Sequence, residues 1–133
     1  MLLKKSPYGS LFPYPYKGGE LFCLHLDGFG TNEGAVISRI KTEEIFFTQQ
    51  NQSIGIWIDF YQTRLTDRVM GEFIELIERI GNRILKLGLV GCSSIDQRKI
   101  NRLMKKAGYL STLPVKYFND PEDAKTWLVS ELG

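Results

Sequence analysis

Two carboxylates stand where a chain most easily builds a chemical site. Asp59 ends the apolar run Ile54-Gly-Ile-Trp-Ile-Asp59, and Asp67 follows eight residues later at the apparent start of a helix. The hydroxyls of Thr63 and Thr66 lie between them. A helix start presents unpaired backbone N–H groups and the positive end of the helix dipole, so a phosphate or another anion would meet donors there.

Asp27 and Lys116 also fall near the ends of apolar runs, and with Asp59 they supply the residue types of a phosphoryl-receiving site. Such a site needs an acidic pair after its first strand and a further strand and helix before the accepting aspartate. This chain has one acid there and too little intervening sequence. Asp59 is instead expected to fix its own loop by accepting backbone N–H bonds. The sole histidine, His25, has no second histidine nearby, and Cys23 and Cys92 form no Cys-x-x-Cys pair, so neither a metal site nor a cofactor is expected. No serine occupies a nucleophile-elbow motif, and Gly28-Phe-Gly30 is too short for a phosphate-binding loop. No catalytic residue is assigned.

The chain of 133 residues is 43% apolar and 24% charged, which is the composition of one ordinary globular domain. Its 17 basic and 15 acidic residues leave a net charge of only +2, so net attraction gives no reason to expect a nucleic acid. Arg98, Arg102, Lys105 and Lys106 do share a helical face, but no aromatic residues are interleaved for base stacking, and the pattern reads as a solvated face. Two thiols in apolar runs point to a reducing compartment rather than a disulfide. The start Met1-Leu-Leu-Lys-Lys5 is too short for a signal peptide, and no run approaches the length of a membrane span. A cytoplasmic protein is expected.

The elements that must position these residues follow from hydrophobic period and punctuation. Residues 1–19 are expected to form an arm rich in Pro, Tyr and Gly that packs on the sheet or reaches a partner, and residues 20–133 the folded domain. Leu21–Leu26 reads as a strand ending in the turn Asp27–Gly30. Thr31–Gln50 reads as a helix with Val36, Ile40 and Phe47 on one face, although two short strands fit the same residues. Ile54–Asp59 is apolar enough for a strand covered on both faces. Thr66 or Asp67 then caps a helix whose stripe is Val69, Phe73, Leu76, Ile77, Ile80 and Ile84. Leu85–Gly91 is the next strand, and Ser94–Asp96 opens a helix with Ile100, Leu103, Met104 and Ala107 inward, closed by Gly108. Val115–Phe118 precedes Asn119-Asp-Pro-Glu-Asp123, a cap with Pro in the first turn and acidic residues at the positive helix end, followed by Ala124, Trp127, Leu128 and Leu132. Alternating strands and helices with short links give an α/β layer structure whose loops gather at one edge: Asp27–Thr31, Asp59–Arg68, Gly91–Asp96 and Phe118–Asp120.

From about Leu21 to Leu132 the chain resembles a STAS domain, the module of anti-sigma factor antagonists and sulfate transporter tails. That family has a strand ending in Asp-Leu-Ser, then Asp-Ser-Ser-Gly-Leu at the next helix start, with the two aspartates spaced as Asp59 and Asp67 are. Gly91-Cys-Ser-Ser-Ile95, the helix to Gly108, Pro114–Phe118 and Asn119–Leu128 follow its later order. The family's phosphorylated serine corresponds to Val69, which cannot accept a phosphate, and Arg68 and Met70 replace its neighbours. Thr66 is the hydroxyl nearest that helix start and stands as the candidate phosphoacceptor.

The resemblance implies an α/β, STAS-like single domain with a mixed or mostly parallel sheet and about four helices. It further implies a non-catalytic regulatory module of bacterial-type signalling that binds a protein, such as a switch-protein kinase or a sensory-complex component; a homodimer is left open. The expected partner-binding residues are Thr63, Arg64, Thr66, Asp67, Arg68, Met70, Ser93 and Ser94. The alternative is a carrier of a small apolar ligand or lipid, with Phe46, Phe47, Trp57, Phe60 and Tyr61 lining its pocket.

Overall fold

The computed structural model describes residues 4–108 and 112–130. Twelve elements follow one another: β1 (Lys4–Lys5), β2 (Leu11–Phe12), β3 (Tyr14–Tyr16), β4 (Gly19–His25), α1 (Glu33–Gln49), β5 (Ile54–Asp59), α2 (Asp67–Ile80), a 3-10 turn (Gly81–Arg83), β6 (Ile84–Val90), α3 (Ser94–Lys106), β7 (Val115–Phe118) and α4 (Pro121–Val129). β3 to β7 form a five-stranded sheet in sequence order. β3 is antiparallel to β4, with Pro15 opposite Glu20, and the remaining pairs are parallel. The fold is therefore α/β with a mixed, mostly parallel sheet and four helices among the described residues.

Side-chain alternation assigns the two faces. Ile54, Ile56 and Ile58 of β5, Phe22 and Leu24 of β4, and Leu87 and Leu89 of β6 turn toward α1, α2 and α3, which contribute Ile40, Phe47, Phe73, Ile77, Ile100 and Met104 to one large core. Leu21, Cys23, Trp57 and Val90 point the other way, where Ala124 and Leu128 of α4 meet them. Gly55 and Gly88 lie beneath Leu128: a Cβ on either would stand 3.5 Å from that side chain, so the missing side chains let α4 lie close to the sheet.

Local chemistry explains the helix limits. The Asn32 side chain accepts from Ala35 N and starts α1, which settles Thr31–Gln50 as a helix rather than two strands. Thr66, Ser93 and Asp120 cap α2, α3 and α4 in the same way, and Pro121 occupies the first turn of α4. Across α1 and α2, Arg79 donates from Nε and Nη2 to both carboxylate oxygens of Glu44 at 2.7 and 2.8 Å.

Three sequence expectations change. Ile84, read on the α2 stripe, is the first residue of β6, because the 3-10 turn at Gly81–Arg83 ends the helix and re-aims the chain. Ala107, read as inward, is exposed at the α3 C-cap, and Leu103 is half-buried. The strand read as Leu21–Leu26 is β4, Gly19–His25, which begins two residues and ends one residue earlier than expected, and β3 precedes it in the sheet. Gly108 has φ +84° and closes α3 as expected. Leu132 lies outside the described residues.

The N-terminal segment takes the first of its two expected courses and packs on the sheet. Phe12 is 3% exposed and meets Phe22, Phe46 and Phe47 ring to ring. Ser6 Oγ donates to Glu43 Oε1 at 2.8 Å and accepts from Ser10 N at 3.0 Å, which ties the segment to α1. Glu43 is 1% exposed, and its Oε2 has no hydrogen-bond partner. Burial holds its pKa above the ordinary value of 4.5, against the opposing pull of the Ser6 bond and Arg39. The folded state therefore binds this proton more tightly than the unfolded chain, and stability falls as pH rises from 4.5 through the raised value. Glu43→Gln keeps the acceptor for Ser6 and removes the buried charge. In urea unfolding from pH 4 to pH 8 the variant is expected to gain on wild type as pH rises; a difference independent of pH would contradict this account.

Candidate functional site

The parallel strands β4, β5, β6 and β7 all end on one side of the molecule, and their loops are braced against one another there. Gly28 N donates to Tyr61 O, Gly30 N to Gln62 O and Arg64 N to Gly30 O, each at 2.8 Å, so the β4 and β5 loops pair beyond the strands themselves. Thr63 Oγ1 donates to Leu26 O at 2.6 Å and accepts from Phe29 N at 3.1 Å. On the other side, Phe60 N donates to Val90 O at 2.8 Å and Gly91 N to Phe118 O at 3.3 Å. Gly91 has φ +83°, and a Cβ there would stand 2.7 Å from Tyr61 N and 2.9 Å from Tyr61 Cα. Only glycine fits this crossing of two loops.

Asp59 works as the sequence led us to expect: its Oδ1 accepts from Tyr61 N at 2.8 Å and fixes the loop. Burial raises its pKa, with the Asp27 carboxylate adding to the rise and the Tyr61 bond and His25 opposing it. Asp27 lies 3.5 Å from His25 Nδ1. The Lys116 ammonium is held over the rings of Phe118 and Trp127, at 5.9 and 5.8 Å, and makes no ion pair with either aspartate. The three do not form a phosphoryl-receiving triad. Cys23 and Cys92 are buried, and burial pushes both thiols up to about 12, far from the thiolate that reacts.

The residues expected to bind a partner divide into surface and scaffold. Arg64, Asp67, Arg68, Ser93 and Ser94 are exposed. The Asp67 side chain is 96% exposed and stands 3.8 Å from Lys99 Nζ, an ion pair that solvent screens heavily. Thr63 and Thr66 are half-buried, with their hydroxyls engaged. Thr66 Oγ1 accepts from Val69 N and donates to Glu33 Oε2. A phosphate on Thr66 would break this cap and set its charge against Glu33. Met70 is 1% exposed and belongs to the core together with Val69, so its side chain offers a partner no open surface.

Two surface residues on this edge escaped the sequence reading: Tyr61 is 60% and Ile95 62% exposed. The signal for Ile95 was present, since it lies off the stripe of Ile100 and Met104. Tyr61 looked like pocket lining because it closes an aromatic run.

The five aromatic residues read as lining an apolar pocket do not converge. Phe46 and Phe47 pack around Phe12 and Phe22, Phe60 meets Phe73 edge-on at 5.4 Å, Trp57 lies on the opposite face of the sheet, and Tyr61 is outside. The cavity between the sheet and α1 and α2 measures about 10 Å³, no more than a single water molecule would need. Among the described residues no cluster of three or more His, Cys, Asp or Glu could hold a metal ion, and no helix is long and apolar enough to cross a membrane.

Comparison with protein-family models, with curated proteins and with solved structures finds no match to this chain. The geometry of the edge is therefore the ground for any functional reading. That geometry gives a direct test of how the edge is built. Gly91→Ala combines a left-handed backbone penalty with a backbone clash, and is expected to cost about 2–4 kcal/mol in chemical denaturation. A loss below about 0.5 kcal/mol would show that the two loops separate without cost.

Proposed function

We propose that the chain is a STAS-like, non-catalytic module that captures a protein partner in the cytoplasm at the edge formed by Tyr61–Arg68 and Gly91–Ile95. The observation that carries this reading is the pair of exposed apolar side chains, Tyr61 on a loop locked by backbone bonds and Ile95 in the first turn of α3, with Arg64, Asp67 and Arg68 exposed on the same edge. Apolar anchors with a charged surround are the make-up of a protein-binding patch. A braced edge also loses little conformational freedom on binding.

Support for the STAS-like reading comes from placement. Asp59 ends a central strand, Asp67 opens the next helix, and the strand, small loop, helix to Gly108, short strand and acid-capped helix follow in the order of the resemblance. A switch-protein kinase or a sensory-complex component is the partner that the resemblance implies. With Val69 in the core and Thr66 engaged as a cap, the proposed mechanism is occupancy: shape and charge at the edge select the partner, and control resides in the partner or in assembly.

Retention of partners from native cell lysate tests the proposal. Wild type is compared with two double variants, Asp67→Lys with Arg68→Glu and Tyr61→Ala with Ile95→Ala, after circular dichroism shows equal folding. A protein retained by wild type is expected to fall by at least about tenfold with both variants. Equal retention by all three would remove this edge from the binding surface.

A further inference from the structure

α4 is only nine residues long, and it does not cover the whole face of the sheet on its side. Between α4 and the N-terminal segment a pocket of about 400 Å³ remains over the ends of β4 and β5. Its walls are Tyr8, Tyr14, Cys23, His25, Trp57 and Lys125, with residues 9–11 completing the rim. None of these residues belongs to the proposed partner edge. The volume lies in the range of small-molecule sites, about 300–1,000 Å³.

The chemistry of the walls is specific. Tyr8, Tyr14 and Trp57 supply flat aromatic surfaces, and His25 meets Trp57 edge-on at 4.9 Å. Arg39 lies 4.0 Å over the Tyr8 ring and donates from Nη1 to His25 O, which fixes one wall against the strand end. The Lys125 ammonium sits over three rings, 5.2 Å from Trp57, 5.4 Å from Tyr14 and 5.8 Å from Tyr16. No carboxylate of the described residues lies within ion-pair distance of it. Trp57 is 4% exposed, and its indole N–H is buried with no acceptor. Of the carboxylates nearby, Asp27 is turned to His25, Asp59 lies opposite His25 in the sheet and accepts from Tyr61 N, and Glu122 accepts from the Tyr16 hydroxyl. The site thus offers stacking surfaces and a cation without an ion-pair partner among the described residues, beside a buried indole N–H that has no acceptor.

We propose that this pocket binds a small, flat aromatic anion, with its ring among Tyr8, Tyr14 and Trp57 and its negative group on the Lys125 ammonium. A cation held over aromatic rings is partly desolvated, so an anion reaching it makes a charge-assisted bond stronger than one made in open water. A neutral ring of the same size keeps the stacking and loses that bond. A cationic ring meets Lys125 with like charge.

The test uses 1-naphthoate as probe, read from the indole N–H signals of the two tryptophans in ¹H–¹⁵N spectra of the full chain. Saturable movement of the Trp57 signal is expected. Lys125→Gln and, on wild type, the neutral probe 1-naphthalenemethanol should each weaken binding by about tenfold, and 1-naphthylmethylammonium should show no saturation. Lys17→Gln, which removes a cation over Tyr16 from outside the pocket, should leave the affinity unchanged. Spectral dispersion and thermal unfolding matched to wild type show that each variant is folded. A Trp57 signal that does not move at about 5 mM 1-naphthoate, an affinity indifferent to Lys125→Gln, or equal binding of the neutral probe would each overturn the proposal.

Discussion

β5 must be buried on both faces while pairing in parallel on both sides, and the other elements are arranged around that requirement. Its isoleucines point into the layer of α1, α2 and α3, whereas Gly55 and Trp57 face α4 and the N-terminal segment. Parallel neighbours cannot be joined by tight turns, so each connection must cross a face of the sheet as a helix. Three helices share one face, and α4 alone returns to the other. Glycines at positions 55 and 88 let Leu128 approach closely, which gives a short helix enough contact to hold its place.

The same parallel arrangement gathers the strand ends into one edge. Loops in that position would ordinarily be the loosest part of the molecule. Here Thr63, Asp59 and the backbone of Gly28, Gly30 and Arg64 extend the pairing past the strands, so the hydrogen bonding of the sheet continues into the edge. A surface of this kind suits recognition by fixed shape. The two sides of the sheet then differ in character: the core beneath α1 and α2 leaves a cavity of only about 10 Å³, and the other side holds an opening lined by aromatic rings and one ammonium.

Much of this was legible in the sequence, and what was not has physical causes. β5 and β7 were readable to the residue because their apolar runs are bounded by turn or capping residues, and α4 because Asp120, Pro121 and the acids after them mark a helix start. α1 was ambiguous because Val36, Ile37, Ile40, Phe46 and Phe47 are strand-forming types, and the Asn32 cap decided it. Ile84 continued the period of α2, and only the 3-10 turn before it shows that the period no longer applied. β1, β2 and β3 span two or three residues each, too few to display any alternation. Glu43 reads as an ordinary polar helix residue, since its burial depends on Ser6, which lies 37 positions away. Met70 adjoins the helix start in sequence, but the twist of the first turn carries it inward. The pocket was illegible because its walls come from five separate segments.

Pro15 gives the outer border of the sheet a property of its own. β3 is the last strand on that side, and a proline at its centre has no N–H to offer an incoming strand. A ladder from another molecule would find a gap in the middle of a three-residue template, beside two bulky tyrosines. Sheet growth from that border is blocked, and the chain is protected there against the edge-to-edge stacking that turns exposed strands into aggregates. Backbone pairing between copies through the five-stranded sheet is accordingly left to the opposite border at β7.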